Sequence, residues 1–377
     1  MSIKSVKFDY SESTQEDVIR FSKTKSAINA RCRKKLGKIN CFICNQSQKI
    51  INSHSIPEFI LRKISVNGEL YSSAGIIDAP IIGDLKGLNK AGTFGLLCSD
   101  CDKKWFADYE EPSNYQTEPN GKMLAQIAMK TYLKEIYKKI TEIIEWEDEF
   151  YTLPDTKPME DPSDMHEMFC RWQQYKNKVF ISESHKQAAE LDLEDFLNKF
   201  NYSKAFLDTD GKTEGYYLHF YQRLNYVVPV ATQVRITLMG GFNDEVINTL
   251  NDENKYSHLH ICIFPMDTFS IVMLFTKNNE LPLRPFLRTF KKMPLPEQLQ
   301  VISYILFTHS EEIYINKETN KILKDSPLVV EMGKISGITW STDTTDPFQH
   351  TLERIKQQSL TKRHGFPNLL SEEYKLS

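Results

Sequence analysis

Apolar positions change their period along this chain, and the changes divide it into predicted elements. Between residues 12 and 36, Val18, Phe21, Ala27, Ile28 and Leu36 make an intermittent helical stripe. Ser13 or Thr14 can cap that helix, Glu16 and Asp17 suit its first turn, and Gly37 is a natural stop. From Met123 to Trp146 the same period is stricter, with Leu124, Ile127, Ala128, Tyr132, Leu133, Ile136, Ile140 and Ile143 on one side. The acidic, Pro-punctuated run 147–164 predicts an exposed connection, and two further helices are expected at 163–180 and 184–199. From about 214 the period falls to two. Runs around Tyr216, Thr232, His258 and Ser270 are aromatic and β-branched, with turn signals between them. Four such runs in succession predict an antiparallel meander. Helices return at 294–308 and 349–358. Residues 64–92 carry Gly68, Gly75, Gly83, Gly87 and Gly92, which predicts a loop-rich insert. The fold class is therefore α+β, in three parts: a helical arm over 1–38, a small module over 39–115, and an α+β domain over 116–377 with an antiparallel sheet and flanking helices.

Composition places the chain in the soluble globular class, with 377 residues, 40% of them apolar and 26% charged. No run approaches the roughly 18 apolar residues that span a bilayer. The start MSIKSVKFDY lacks the apolar core of a signal peptide, so a cytoplasmic, reduced protein with no membrane partner is expected. Net charge is −3 but unevenly spread: residues 1–110 hold 17 Lys+Arg against 12 Asp+Glu, which makes that part +5 and the rest −8. The excess is densest before residue 39, where Arg31, Arg33, Lys34, Lys35 and Lys38 meet no acid. Such a patch attracts a polyanion; the plainer alternative is a solvated helix face.

Four of the seven cysteines form two pairs, Cys41-Phe-Ile-Cys44 and Cys98-Ser-Asp-Cys101. Two residues between cysteines let both sulfurs reach one ion, so the pairs predict a tetrahedral S₄ site for a structural zinc. Zinc bound there contributes folding energy to a module with little core of its own. The alternative is two unrelated, redox-active CxxC pairs. Cys32, Cys170 and Cys262 are isolated and read as ordinary thiols. His258 and His260 alternate with Cys262 on one strand face, which is commonplace for a half-exposed strand.

Between the cysteine pairs lies Ile51-Asn-Ser-His-Ser-Ile-Pro57, and around the second pair lies Leu96-Leu-Cys-Ser-Asp-Cys-Asp102-Lys-Lys-Trp-Phe106. In this order CFIC, HSIP and LLCSDC resemble the HNH nucleases, the zinc-stapled branch of the ββα-metal family, over residues 40–110. The resemblance implies a metal-dependent endonuclease that hydrolyses phosphodiester bonds in nucleic acid, DNA favoured over RNA. His54 would be the general base, available because a neutral imidazole persists near pH 7. Asp102, where family members usually carry His or Asn, would help hold a catalytic Mg²⁺ or Mn²⁺. Asp108, Glu110 and Asn89 are further candidate ligands, and Lys103 and Lys104 candidate phosphate contacts. Two positions depart from the pattern: Ser53 stands where an acid is common before the histidine, and Thr93 where the middle Asn is expected. Asp102 also has a plainer role as a first-turn acid that suits the helix dipole. The alternatives are a catalytically degenerate nucleic-acid-binding module, or a protein-interaction scaffold whose zinc is structural only. Residues 116–377 carry no motif of their own and are expected to sense, position substrate, or form a homo-oligomer or protein contact. By analogy with bacterial antiphage defence effectors, a nuclease head on a large body suggests a defence role.

Overall fold

Strands buried on both faces belong at the centre of a sheet, and two in this chain qualify. The computed structural model describes residues 30–31, 34–36, 40–72, 85–152, 165–249, 255–310, 312–324 and 347–376. In it β7 (Leu259–Pro265) is buried at every position and β8 (Ser270–Lys277) at all but the last. They lie inside a seven-stranded sheet of order β3-β2-β9-β6-β7-β8-β5, antiparallel at every pairing. The other members are β2 (Glu69–Ser72), β3 (Leu85–Gly87), β5 (Tyr216–Leu224), β6 (Val230–Ile236) and β9 (Ile313–Ile315). Alternate side chains of the central strands feed two cores, as a period of two requires. Cys262, Phe264, Ile271, Met273 and Phe275 pack with the N-terminal segment and the long helices. Ile261, Ile263, Val272 and Leu274 pack with α5 (Arg284–Phe290) and α6 (Leu295–His309). Helix α6 is buried continuously from Val301 to Thr308, as its all-round apolar sequence demands.

The remaining strands, β1 (Ile50–His54) and β4 (Thr93–Cys98), form a separate antiparallel ribbon. Between them come α1 (Glu58–Ile64) and the hairpin β2–β3. Directly after β4 the chain enters α2 (Ser99–Glu110), then α3 (Gly121–Thr152) and α4 (Met165–Asp208). Two short helices close the order, α7 (Lys317–Lys324) and α8 (Pro347–Gln357). The fold is thus α+β, with antiparallel sheets. Segments 39–115 and 116–377 share both the large sheet, through β2 on β9, and one core. Among the described residues no helix is long and apolar enough to cross a membrane.

Several sequence expectations need correction. Residues 216–277 supply four strands at the expected places, but β5 pairs with β8 instead of β6. Its partly exposed pattern suits an edge, whereas β7 is buried throughout, β6 and β8 at all but one position each, and these three fill the centre. The helices expected at 163–180 and 184–199 are one helix, α4, because neither Gly nor Pro lies between 165 and 208 to end it. Helix α3 runs past Trp146 at least to Thr152; 153–164 lie outside the described residues. The insert 64–92 is not all loop. Asn67 and Gly68 both take positive φ, 55° and 75°, in a tight turn closed by the Val66–Glu69 bridge; this is the conformation that a two-residue hairpin turn needs. The strands β2 and β3 that follow join the large sheet. Of the helix expected at 12–36 only 30–31 and 34–36 are described, and they are helical.

Candidate metal centre and adjoining polar site

The β1–β4 ribbon brings the two cysteine pairs together, since Ile50 opposes Cys98 in its register. Asn45, at φ 54°, turns the first pair, its amide donating to the Cys41 carbonyl at 2.8 Å. The Phe42 amide donates to the Leu96 carbonyl at 2.9 Å, which pins the first knuckle to β4. Phe42 also meets Phe200 of α4 edge-on, with ring centroids 5.3 Å apart. The Sγ atoms of Cys41, Cys44, Cys98 and Cys101 all lie within 4.8 Å of one another, with Cys44 and Cys98 at 4.0 Å. A tetrahedral ZnS₄ site with bonds of about 2.3 Å has sulfurs about 3.8 Å apart. The donor set and its spacing therefore fit: these four cysteines could bind a metal ion such as zinc.

The electrostatics of Cys41, Cys98 and Cys101 are compatible with such an ion. Burial pushes Cys41 up, but the amides of Cys44, Cys98 and Ile43 outweigh it and bring this thiol down to about 7; the Cys98 amide donates to its sulfur at 3.4 Å. Burial pushes Cys98 and Cys101 upward. One thiolate forms readily, and a divalent cation supplies the charge that gathers the rest.

His54 ends β1 opposite Thr93 of β4. Its Nε2 lies 3.3 Å from the Leu88 carbonyl. A carbonyl only accepts, so the contact is made by a proton on Nε2, and Nδ1 takes no part in it. Pro57 precedes α1, and the Ser55 amide donates to the Gly92 carbonyl at 2.8 Å, which fixes the chain on the far side of His54. Thr93, in place of the expected Asn, donates its hydroxyl to the Lys90 carbonyl at 3.3 Å. Asn89 is exposed in the turn that carries Leu88.

Asp102 stands in the first turn of α2. Its Oδ1 accepts from the Ser53 hydroxyl and from the Lys130 ammonium. Lys130 comes from α3, is wholly buried, and donates also to Glu110 Oε1 at 3.0 Å. Its Nζ sits 4.2 Å from the centroid of the Phe106 ring. Burial pushes the Glu110 carboxyl up, with Lys130 pulling against it and the Asp102 charge adding to the rise. Asp108 turns elsewhere: its Oδ2 accepts from Lys122 at 2.9 Å and from Gln126 at 2.8 Å, and the Lys122 contact lowers its pKa.

The sequence candidates therefore separate. The four cysteines converge, and Asp102 meets Ser53, Lys130 and, through that lysine, Glu110; His54 follows Ser53 on β1, where successive side chains point to opposite faces. Asp108 and Asn89 do not join Asp102 and Glu110 in one ligand set, because Asp108 is bound to the start of α3. Among the described residues, only the cysteines form a metal-ligating group of three or more. Asp102 and Glu110 are already shared by an ammonium, so the residues present do not fit a second, catalytic divalent ion. Lys103 and Lys104 are exposed on α2, Lys104 lying 5.9 Å from the Trp105 ring centroid. Arg31, Lys34 and Lys35 are exposed, whereas Arg33 and Lys38 lie outside the described residues. His258 and His260 both contact the Tyr132 hydroxyl at 3.2 Å, and Cys262 is buried beyond them, consistent with a core role. The residue that sequence reasoning missed is Lys130. Its signal was a lysine set between Met129 and Thr131 on the most apolar stretch of α3.

No family model, curated protein or solved structure matches this chain.

Proposed function

We propose that residues 40–110 form an HNH-like nuclease module acting on nucleic acid, DNA favoured, with His54 as the general base and a structural zinc on the four cysteines. One juxtaposition carries the reading. His54 closes β1 beside Ser53, whose hydroxyl donates to Asp102 at the start of α2, on a strand–strand–helix unit stapled at its base. Hydrolysis of a phosphodiester needs a group that takes a proton from water, and the Nδ1 of His54 is free of the carbonyl that holds Nε2. The exposed Lys103 and Lys104 give the phosphate backbone a cationic approach.

A second reading, nucleic-acid binding without hydrolysis, is favoured by Lys130, which satisfies Asp102 and Glu110 internally. The cluster then carries about one net negative charge, the wrong sign to stabilise a phosphorane. The test is cleavage of supercoiled plasmid and single-stranded RNA by the zinc-loaded full chain with Mg²⁺ or Mn²⁺. Slow nicking is expected, and His54→Ala should reduce it by about 100-fold or more while the zinc content stays the same. No cleavage by the wild type or by a Lys130→Gln form refutes hydrolysis. Salt-dependent binding that persists, and that charge reversal at Arg31, Arg33, Lys34 and Lys35 weakens, would then support the second reading.

A further inference from the structure

Two carboxylates eight residues apart on α2, one of them held by a serine from β1, converge as though on a cation, and a cation is there. It is an ammonium, not a metal ion. Lys130 donates one hydrogen bond to Asp102 and one to Glu110, and its third N–H is left toward the face of Phe106. The side chain has no exposed surface, while those of Asp102 and Glu110 keep 16% and 32%. The acids can thus be reached from solvent and the lysine cannot.

We infer that Lys130 is a built-in cation that closes the Asp102–Glu110 pair to divalent ions, and that the pair becomes a divalent-cation site when this one charge is removed. Three physical features support the inference. A buried ammonium persists only where anions repay its desolvation, and among the described residues these two acids are its ionic partners within salt-bridge range. A small divalent ion would have to lie among the same oxygens, within a few ångströms of Nζ, where like charges repel strongly at the effective dielectric of a protein interior. Hard cations of this type require carboxylate oxygens, which the pair supplies in the right chemistry once the ammonium is absent. The surrounding scaffold would survive the change. Ser53 holds Asp102 from β1, and Phe106 and Tyr109 are anchored in the hydrophobic core beneath α2. The inference rests on the nuclease reading only in treating the pair as part of the hydrolytic centre.

The test reads ion binding directly, with Mn²⁺ as the probe and the loss of its free electron-paramagnetic-resonance signal as the measure. Zinc-loaded full-length wild type should bind no Mn²⁺ at about millimolar concentration. Lys130→Met and Lys130→Gln should bind it about tenfold or more tighter than the wild type, and adding Asp102→Asn should abolish that gain. Mn²⁺ should also raise the melting temperature of the Lys130 variants and leave the wild type unmoved. Equal Mn²⁺ binding, or equal lack of it, in wild type and folded variants overturns the inference. So does Mn²⁺ binding by the wild type that Asp102→Asn removes, a result that needs no Lys130 variant to fold. A Lys130→Gln protein that binds Mn²⁺ and cuts nothing refutes hydrolysis and leaves the inference standing. A wild type whose Mn²⁺-dependent cutting requires Asp102 does the reverse.

Discussion

Lowering the pH from 7 to 5 forces a proton toward His260, which the fold has no means to accommodate. This ring is 1% exposed on central strand β7. It stacks on Phe275 with centroids 4.7 Å apart and takes its polar contact from the Tyr132 hydroxyl. Burial first, and the nearby Arg235 and Lys199 charges next, bring its pKa from 6.5 down to about 3. Arg235 is itself paired with Glu135 at 3.0 Å, and Lys199 with Asp195, so neither carboxylate is free to welcome an imidazolium. A histidine with a depressed folded pKa is neutral when folded and charged when unfolded. Its contribution is therefore whole above pH 6.5 and is lost as the pH falls toward about 3. At pH 5 the loss is about 1.5 pK units, or about 2 kcal/mol for His260 alone. His258, pushed the same way by burial and then by Lys199 and Arg235, adds a loss of the same sign. Against a typical stability of about 5–15 kcal/mol, the pair weakens the fold well above the pH at which carboxylates titrate. The assay is urea unfolding followed by circular dichroism at several pH values between 8 and 5, on wild type and His260→Gln. The slope with pH carries the information, so a variant that is merely less stable cannot mimic the effect, and zinc release affects both proteins alike. Below pH 6 the wild-type slope should exceed that of the variant by about 1.4 kcal/mol per pH unit. Parallel curves from pH 7 to 5 would refute the reasoning.

Two further outcomes follow from the zinc module and its hinge. The purified chain should hold one zinc, and Cys98→Ser or a strong chelator should cost several kcal/mol, on the order of what structural zinc contributes. Mass spectrometry in native conditions and thermal unfolding check both, and full stability without metal would count against the S₄ site. Gly92 has φ +65°, and a Cβ there would lie 2.9 Å from the Tyr314 hydroxyl and 3.0 Å from Ser55 Oγ. Gly92→Ala should therefore cost about 1–3 kcal/mol, read as a lowered melting temperature; an unchanged value would show that the turn relaxes freely.

How much of this was legible in the sequence depended on whether a signal was local. The four cysteines were legible because metal-ligand spacing is written in consecutive residues, and β7 and β8 were legible as strands; the full burial of β7 was not, because His258 and His260 read as the face of a half-exposed strand. The edge position of β5 was harder to read, since a pattern of two specifies a face and not a neighbour; only the exposure of Tyr217, at 55%, betrays it. The paired turn residues Asn67 and Gly68 did carry a local hairpin signal, masked by the many glycines around them. The site divides in the same way. Asp102 directly follows Cys101 and His54 lies ten residues after Cys44, so short-range motif reading could name both as candidates. Lys130 comes from another helix, and no motif within 40–110 could reveal a charge delivered from α3. That charge alters the reading of the motif, because Asp102 and Glu110 are two paired-up acids with Lys130 between them rather than two open oxygen ligands. An active-site motif states which ligands are present; whether they are available depends on what the rest of the fold brings against them. Here α3 contributes that term twice, through Lys130 to the acids of α2 and through Lys134 to Glu312, the residue leading into β9, at 3.6 Å. The two lysines lie four residues apart on one helix, so a single element carries both the charge set against the α2 acids and an ion pair to the residue before β9.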